Sequence, residues 1–197
     1  MTLTPKTGWF GRRAGAVFLS ILALTVLAGA TDLEIQRSTI KWKNVGPWEI
    51  GVDQQLNYGC FLFAAYEDGT DLKFGFSSNM SHAYIMITDR DWLSLKEGES
   101  YSLVFQFDRK PRWSGDAAGV RVRNTVALVL AVPTLAEDFF VDFALSKRLH
   151  ITHKGKSVAS LNLKGSYAAT DELLNCQKNM QVMKSERSQY SADPFSQ

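Results

Sequence analysis

Short stretches in which hydrophobic and polar residues alternate run through most of the chain and predict β-strands. Successive side chains of a strand point to opposite faces, so an apolar residue at every second position marks one buried face. The clearest example is 101–107, with Tyr, Leu, Phe and Phe at the odd positions. Two runs, 60–66 and 125–132, are apolar throughout and predict strands covered on both faces. Shorter alternating runs lie at 48–52, 72–76, 83–87, 120–122, 149–151 and 159–163.

Turn sequences separate these runs and define their ends. Asp68-Gly69 between two strands predicts a hairpin with a type I′ turn, because these residues readily adopt positive φ. The segment 109–112 ends the strand at 101–107, and 153–156 separates the last two strands. The pattern predicts about nine short strands.

Two segments have helical spacing instead. Thr134 and Glu137 form a capping box, followed by apolar residues on one side of a helix. A second helix is predicted from Ser166, with an apolar stripe that includes Leu173 and Cys176. Strands and helices together predict a mainly β fold: a single antiparallel β-sandwich or partly closed barrel with two packed α-helices.

The ends of the chain differ from this pattern and set the domain limits. Residues 31–45 are mixed and polar, which predicts a flexible lead-in, and the domain itself is predicted at 46–180. The polar, unpatterned residues 181–197 predict a disordered tail.

Residues 1–30 have the three parts of a secretory signal peptide. A basic start containing Arg12 and Arg13 precedes the apolar run 17–27, and Ala28-Gly29-Ala30 provides small residues for cleavage. The alternative is an uncleaved anchor, since the low-charge stretch 14–30 approaches the length of a membrane span. We expect cleavage, and hence a periplasmic or secreted protein that meets a membrane only if the leader is retained.

Composition excludes a disordered or collagen-like chain, because 45% of the 197 residues are hydrophobic and 21% are charged. The predicted leader holds three of the 22 lysines and arginines and none of the 20 acids, so the remainder carries a net charge of −1. This balance gives no reason to expect a nucleic acid partner.

The two cysteines, Cys60 and Cys176, both follow the predicted leader. In an oxidising compartment an even pair is a candidate disulfide. Cys60 shares a strand face with Leu62 and Ala64, and Cys176 lies on the apolar stripe of the second helix, so a bond between helix and sheet is expected. Two buried free thiols are the alternative.

Catalytic and metal-binding patterns are weak in this sequence, and we expect no enzyme, metal or cofactor. No G-x-S-x-G nucleophile elbow occurs, and adjacent Ser81 and His82 would point apart in an extended chain. His150 and His153 would lie on opposite faces of a strand, which is unsuitable for holding one metal ion.

Tryptophan among arginines marks the most suggestive surface. Trp113 and Arg112 end a predicted hairpin, and the neighbouring strand carries Arg121 and Arg123. Such a cluster could bind a sugar ring or an acidic patch of a partner protein. Trp92 is a second candidate for partner binding, and for both tryptophans the alternative is a lid over the core.

The order of several segments resembles small exported alphaproteobacterial proteins of unknown function and, more distantly, the invasion-associated locus B family. The segments span about 46–178: Trp48-Glu49-Ile50, Gly59-Cys60-Phe61, 66–70, Phe107-Asp108, Trp113-Ser114-Gly115, 161–166 and 173–177. The resemblance implies an envelope or secreted role, in some cases at a host surface. It supplies no active-site residues.

The leading hypothesis from the sequence is therefore an exported, non-enzymatic protein that binds an envelope or host protein or a glycan. A small β-barrel that carries an apolar ligand is the alternative, because Phe74, Phe76, Phe105 and Phe107 could line a cavity or fill a core. The oligomeric state is not predicted.

Overall fold

The computed structural model describes residues 39–54, 57–77, 79–133 and 137–190. These ranges form ten strands and two helices. The strands are β1 (Thr39–Val45), β2 (Trp48–Asp53), β3 (Gly59–Ala65), β4 (Thr70–Phe76), β5 (His82–Asp89), β6 (Ser100–Phe107), β7 (Arg112–Val122), β8 (Thr125–Pro133), β9 (Arg148–His153) and β10 (Lys156–Asn162). The helices are α1 (Glu137–Leu145) and α2 (Ser166–Tyr190). Neither helix in this part of the chain is both long and apolar enough to cross a membrane.

All ten strands belong to one antiparallel sheet, in the order β1-β2-β3-β4-β5-β8-β7-β6-β9-β10. The sheet is not closed into a barrel, since β1 and β10 remain its edges. The predicted mainly β fold with two helices is confirmed, with one strand more than expected because β1 precedes the predicted domain.

The sheet curves around helix α1. The ring of Phe143 lies 5.8 Å from the ring of Trp48 on β2 and 6.4 Å from the ring of Phe107 on β6. Six strand spacings separate β2 from β6 in the sheet, which would be about 29 Å if the sheet were flat. Because one phenyl ring contacts both strands, the two halves of the sheet must face each other across α1.

Aromatic side chains fill the space between α1 and the sheet. Phe74, Phe105 and Phe107 have no exposed surface, and all three contact Phe139 of the helix at centroid distances between 5.2 and 6.4 Å. Phe76 stacks on Phe140 at 5.4 Å. These inward-facing rings form a packed core around α1, where the sequence left a choice between a core and a ligand cavity.

Helix α2 is fastened to the sheet by the predicted disulfide, which is confirmed. The bond joins Cys60 on β3 to Cys176 on α2, and both residues are fully buried. Beside it, the amide oxygen of Gln177 accepts a 2.8 Å hydrogen bond from the backbone N–H of Cys60. The apolar stripe read from the sequence thus faces the sheet.

The predicted limits of the domain are too narrow at both ends. Part of the expected flexible lead-in is strand β1, and a bulge between Lys41 and Lys43 turns neighbouring side chains toward α2. There Trp42 Nε1 and Lys43 Nζ donate to the Glu172 carboxylate at 2.8 and 2.7 Å. Helix α2 continues into the expected disordered tail, because good helix formers and no proline occupy 181–190. The predicted leader, residues 31–38, residues 191–197 and the capping-box Thr134 lie outside the described residues.

The hairpin between β3 and β4 is confirmed, but the predicted type I′ turn is wrong. Only Gly69 of the pair has positive φ (91°), and its N–H donates to the Tyr66 carbonyl at 3.1 Å. The loop therefore has three residues with glycine in the left-handed position. Asp68 instead stabilises the turn by accepting the N–H of Thr70 at 3.0 Å. Positive φ at both central residues occurs at Lys154 and Gly155, between β9 and β10.

Candidate functional site

The five residues predicted to bind a partner do not form one surface. The sequence suggested a turn near Trp113 and a new strand near Arg121, whereas both residues belong to the single strand β7. Eight residues of extended chain separate them by about 26 Å. Arg112 and Trp113 therefore lie at one end of β7, and Arg121 and Arg123 lie at the other.

Trp113 is directed into the molecule, where it packs on helix α1. Its ring lies 5.6 Å from that of Phe139, and its Nε1 donates to Asp142 Oδ2 at 2.9 Å. Lys110 Nζ contacts the other oxygen of the same carboxylate at 2.8 Å. This environment matches the lid over the core that the sequence left as an alternative. Trp92 is likewise partly buried against the core.

The arginines at the far end of β7 are engaged with acids or with a turn. Arg121 Nε donates to Glu97 Oε2 at 2.8 Å. Arg123 occupies the turn into β8 with a φ of 53°. Burial raises the pKa of nearby Asp71, and the positive charges of Arg90 and Arg123 oppose that increase. A partner-binding role for these residues stays a prediction.

A basic groove lies on the outer face of the sheet at the other end, where β6, β9 and β10 meet. It is an open depression with a volume of about 530 Å³. Its lining is polar and mostly basic: Gln106, Asp108, Arg109, Lys147, Arg148, His150 and Asn162. The predicted residue Arg112 pairs with Gln106 across the ladder between β6 and β7, so it lies beside the groove. We refer to the seven lining residues together with Arg112 as the basic groove.

Strand alternation places the side chains of those groove residues that lie on strands outward. Phe105, Phe107, Leu149, Ile151 and Leu161 are fully buried on the inner face of β6, β9 and β10. The residues between them must face outward, because side chains alternate along a strand. Register then aligns the polar residues: Gln106 pairs with His150, and Arg148 pairs with Asn162.

Asp108 holds the two loops of the basic groove together. It follows β6 with a φ of 49°, a left-handed conformation that aspartate tolerates better than most residues. Its two carboxylate oxygens accept the backbone N–H groups of Lys147 and Arg148, each at 3.0 Å. Its own N–H donates to the Arg148 carbonyl at 3.0 Å. The one carboxylate of the groove thus fixes the backbone of two of its cationic residues, Lys147 and Arg148.

The remaining cations of the groove have no ion-pair partner in the part of the chain that the structure describes. No carboxylate there forms an ion pair with Arg109, Arg112, Lys147 or Arg148. Some cations elsewhere are paired, such as Lys73, whose Nζ lies 2.6 Å from Asp53 Oδ2. Because the protein as a whole has nearly balanced charge, this end of the sheet carries a local positive excess.

Sequence reasoning identified Arg112 but missed most of the groove. Lys147 and Arg148 are not among the residues predicted to bind a partner, and the sequence considers His150 only as a weak candidate metal ligand. Alternation within β9 could have indicated that Arg148 and His150 share an outer face. Nothing in the sequence indicated that β9 pairs with β6, which is what joins them to Gln106 and Arg109.

The structure also bears on the histidines considered for catalysis or metal binding. His150 and His153 lie on regular strand β9 and so face opposite sides, and His153 Nδ1 lies 2.8 Å from the Ser102 carbonyl oxygen. The expectation that Ser81 and His82 point apart is wrong. A turn with positive φ at Met80 brings Ser81 Oγ to 3.0 Å from His82 Nδ1. No carboxylate of the described residues hydrogen-bonds to that ring, and no group of three potential ligands among them could hold a metal.

Comparison with known proteins finds no match among protein-family models, curated proteins or solved structures. The resemblance to exported alphaproteobacterial proteins and to the invasion-associated locus B family therefore stays a prediction.

Proposed function

We propose that the protein is an exported, non-enzymatic binding protein that holds an anionic envelope or host partner in the basic groove. The observation that carries this proposal is the absence of ion-pair partners, within the described residues, for the four cations Arg109, Arg112, Lys147 and Arg148. All four residues are exposed, so an anion can replace water at their side chains without breaking an ion pair among the described residues.

The types of cation favour an anionic group with several oxygens. Three of the four are arginines, whose planar guanidinium donates paired hydrogen bonds to carboxylates, sulfates or phosphates. Their common location at one end of the sheet also attracts an anion over a distance of about a Debye length, ~8 Å at physiological salt. Binding should therefore weaken as ionic strength rises.

A binding role fits the groove better than catalysis. Asp108 is its one carboxylate, and both oxygens of Asp108 already accept backbone N–H groups. This leaves His150 without a free carboxylate in the groove, whereas acid–base catalysis commonly pairs such a group with a second acid or base. Export is supported by the predicted leader together with the buried disulfide, because disulfides persist in oxidising compartments.

Charge removal at the two ends of the sheet tests this proposal. The variant R109Q/R148Q should bind a set of fluorescent polyanions (oligogalacturonate, polyglutamate and polyphosphate) about tenfold more weakly than wild type. That estimate assigns about 0.7 kcal/mol to each exposed ion pair. The matched control R121Q/R123Q removes the same charge at the far end of β7 and should bind within about twofold of wild type. Equal weakening by both variants, or no binding of wild type to any of the probes, would contradict the proposal.

A further inference from the structure

Four polar side chains form a row across the outer face of the sheet. Register pairs Arg112 on β7 with Gln106 on β6, Gln106 with His150 on β9, and His150 with Ser160 on β10. Arg112 and Ser160 are exposed, and Gln106 and His150 are half-buried. The row therefore presents a continuous polar strip that crosses four strands.

Arg112 in this strip and Arg148 beside it are separated by neutral hydrogen-bonding groups. Arg148 lies two strands from Arg112 and two residues along β9 from His150, so the backbones of the two arginines are about 12 Å apart. Gln106 on β6 lies between them. A complementary ligand would carry anionic groups at intervals, with groups between them that both donate and accept hydrogen bonds.

Two amide side chains, Gln106 in the strip and Asn162 beside it, favour a ligand that has hydroxyl groups. Asn162 Oδ1 accepts the backbone N–H of Lys164 at 2.9 Å, which leaves the amide NH₂ of Asn162 to donate outward. Gln106 offers both an acceptor and donors. Polyphosphate would present only acceptors to Gln106, and the side chains of an acidic peptide would present mainly carboxylates. Sugar hydroxyls both donate and accept, so they match the amide and the imidazole between the cations.

We infer that the ligand of the basic groove is an acidic glycan, lying across β7, β6, β9 and β10. This inference rests on the proposed function and adds the class of ligand. The arginines bind the acidic groups of the glycan, while Gln106, His150 and Asn162 hydrogen-bond to its hydroxyls. The strip is open at both ends, at exposed Arg112 and Ser160, which suits a chain better than a single sugar.

A comparison of two polyanions of equal charge tests the inference. Wild type should bind oligogalacturonate about tenfold more tightly than polyglutamate, since the hydroxyls supply additional hydrogen bonds worth about 1.4 kcal/mol in sum. Q106L should bring the two affinities within about threefold, by weakening binding of oligogalacturonate and leaving that of polyglutamate unchanged. The control Q181L makes the same substitution at an exposed position on α2 outside the groove and should preserve the preference.

The outcomes separate the two proposals. Equal affinity of wild type for both polyanions would overturn the acidic-glycan inference and leave an anion-binding groove in place. Failure of wild type to bind either polyanion, or polyphosphate, would overturn the proposed function as well. A preference for oligogalacturonate that persists in Q106L would also overturn the inference, because the neutral strip would then not recognise the hydroxyls.

Discussion

Removal of the disulfide should cost a large part of the stability of this protein. The double variant C60A/C176A deletes a bond that joins residues 116 positions apart. In the chain-entropy model, a loop of that length gives the unfolded state about 4.9 kcal/mol of additional conformational freedom at 25 °C. Domains of this size unfold with about 5–15 kcal/mol in total, so we expect the variant to remain folded by a small margin at most.

Urea unfolding followed by tryptophan fluorescence measures the loss directly. The free energy of unfolding should fall by about 4–5 kcal/mol relative to oxidised wild type. Wild type with a reducing agent should show the same loss, since it keeps both sulfur atoms and lacks only the bond. If the variant is unfolded in buffer, titration with sucrose, which favours the compact state, makes its stability measurable. A loss below about 1 kcal/mol in both experiments would refute the view that this bond constrains the unfolded chain.

Two further predictions concern the contacts that fasten α2 to the sheet. Q177L should lower the unfolding free energy by about 1–3 kcal/mol, because it leaves the buried Cys60 N–H without its acceptor. K178L, at the exposed neighbouring position, should change the unfolding free energy by less than about 0.5 kcal/mol. Equal urea midpoints for the two variants would contradict this prediction. Hydrogen bonds from Lys43 and Trp42 hold the pKa of Glu172 below its ordinary value of 4.5. The stability that these bonds provide is present above that value and disappears as the pH falls through the lowered pKa, so the difference in melting temperature between wild type and E172Q should shrink as the pH is lowered below about 4.5. A difference that grows would contradict this prediction.

Most of the fold could be predicted because strands, helices and turns are marked by local patterns in the sequence. Alternation in 101–107 and the turn residues near Gly69 depend only on neighbouring residues, and both elements were predicted. The disulfide followed from the faces assigned to Cys60 and Cys176. Strand β1 was missed although Ile40 and Trp42 alternate with Lys41 and Lys43; a contact 130 residues away, from Trp42 to Glu172, fastens it to α2.

The error in β7 explains why the predicted binding surface was wrong in its geometry. Gly115 and Gly119 interrupt the apolar alternation of this strand, and the sequence predicted only its last part, 120–122. They are required by their surroundings: a Cβ at Gly115 would lie 2.8 Å from a Leu130 methyl group, and one at Gly119 would overlap the Lys96 carbonyl oxygen. Small residues thus mark close packing against the inner face, and the continuous strand separates Arg112 from Arg121.

The basic groove was not predicted, for a different reason. Its residues come from 106–112 and 147–162, which are brought together by the pairing of β6 with β9. Helix α1 and two strands intervene between those segments, so no local pattern specifies the pairing. The sequence therefore shows which residues are charged, but it does not show that they lie together at this end of the sheet.

The central claim is that an anionic partner binds at the basic groove, and an NMR titration of the isotope-labelled protein with oligogalacturonate tests it most directly. Backbone amide shifts should change at Gln106, Arg109, Arg148 and His150, and the changes should diminish as salt is added. The amides of Arg121 and Arg123, at the far end of β7, should keep their positions. Shift changes centred on Arg121 and Arg123, or no saturable change at the groove, would contradict the account.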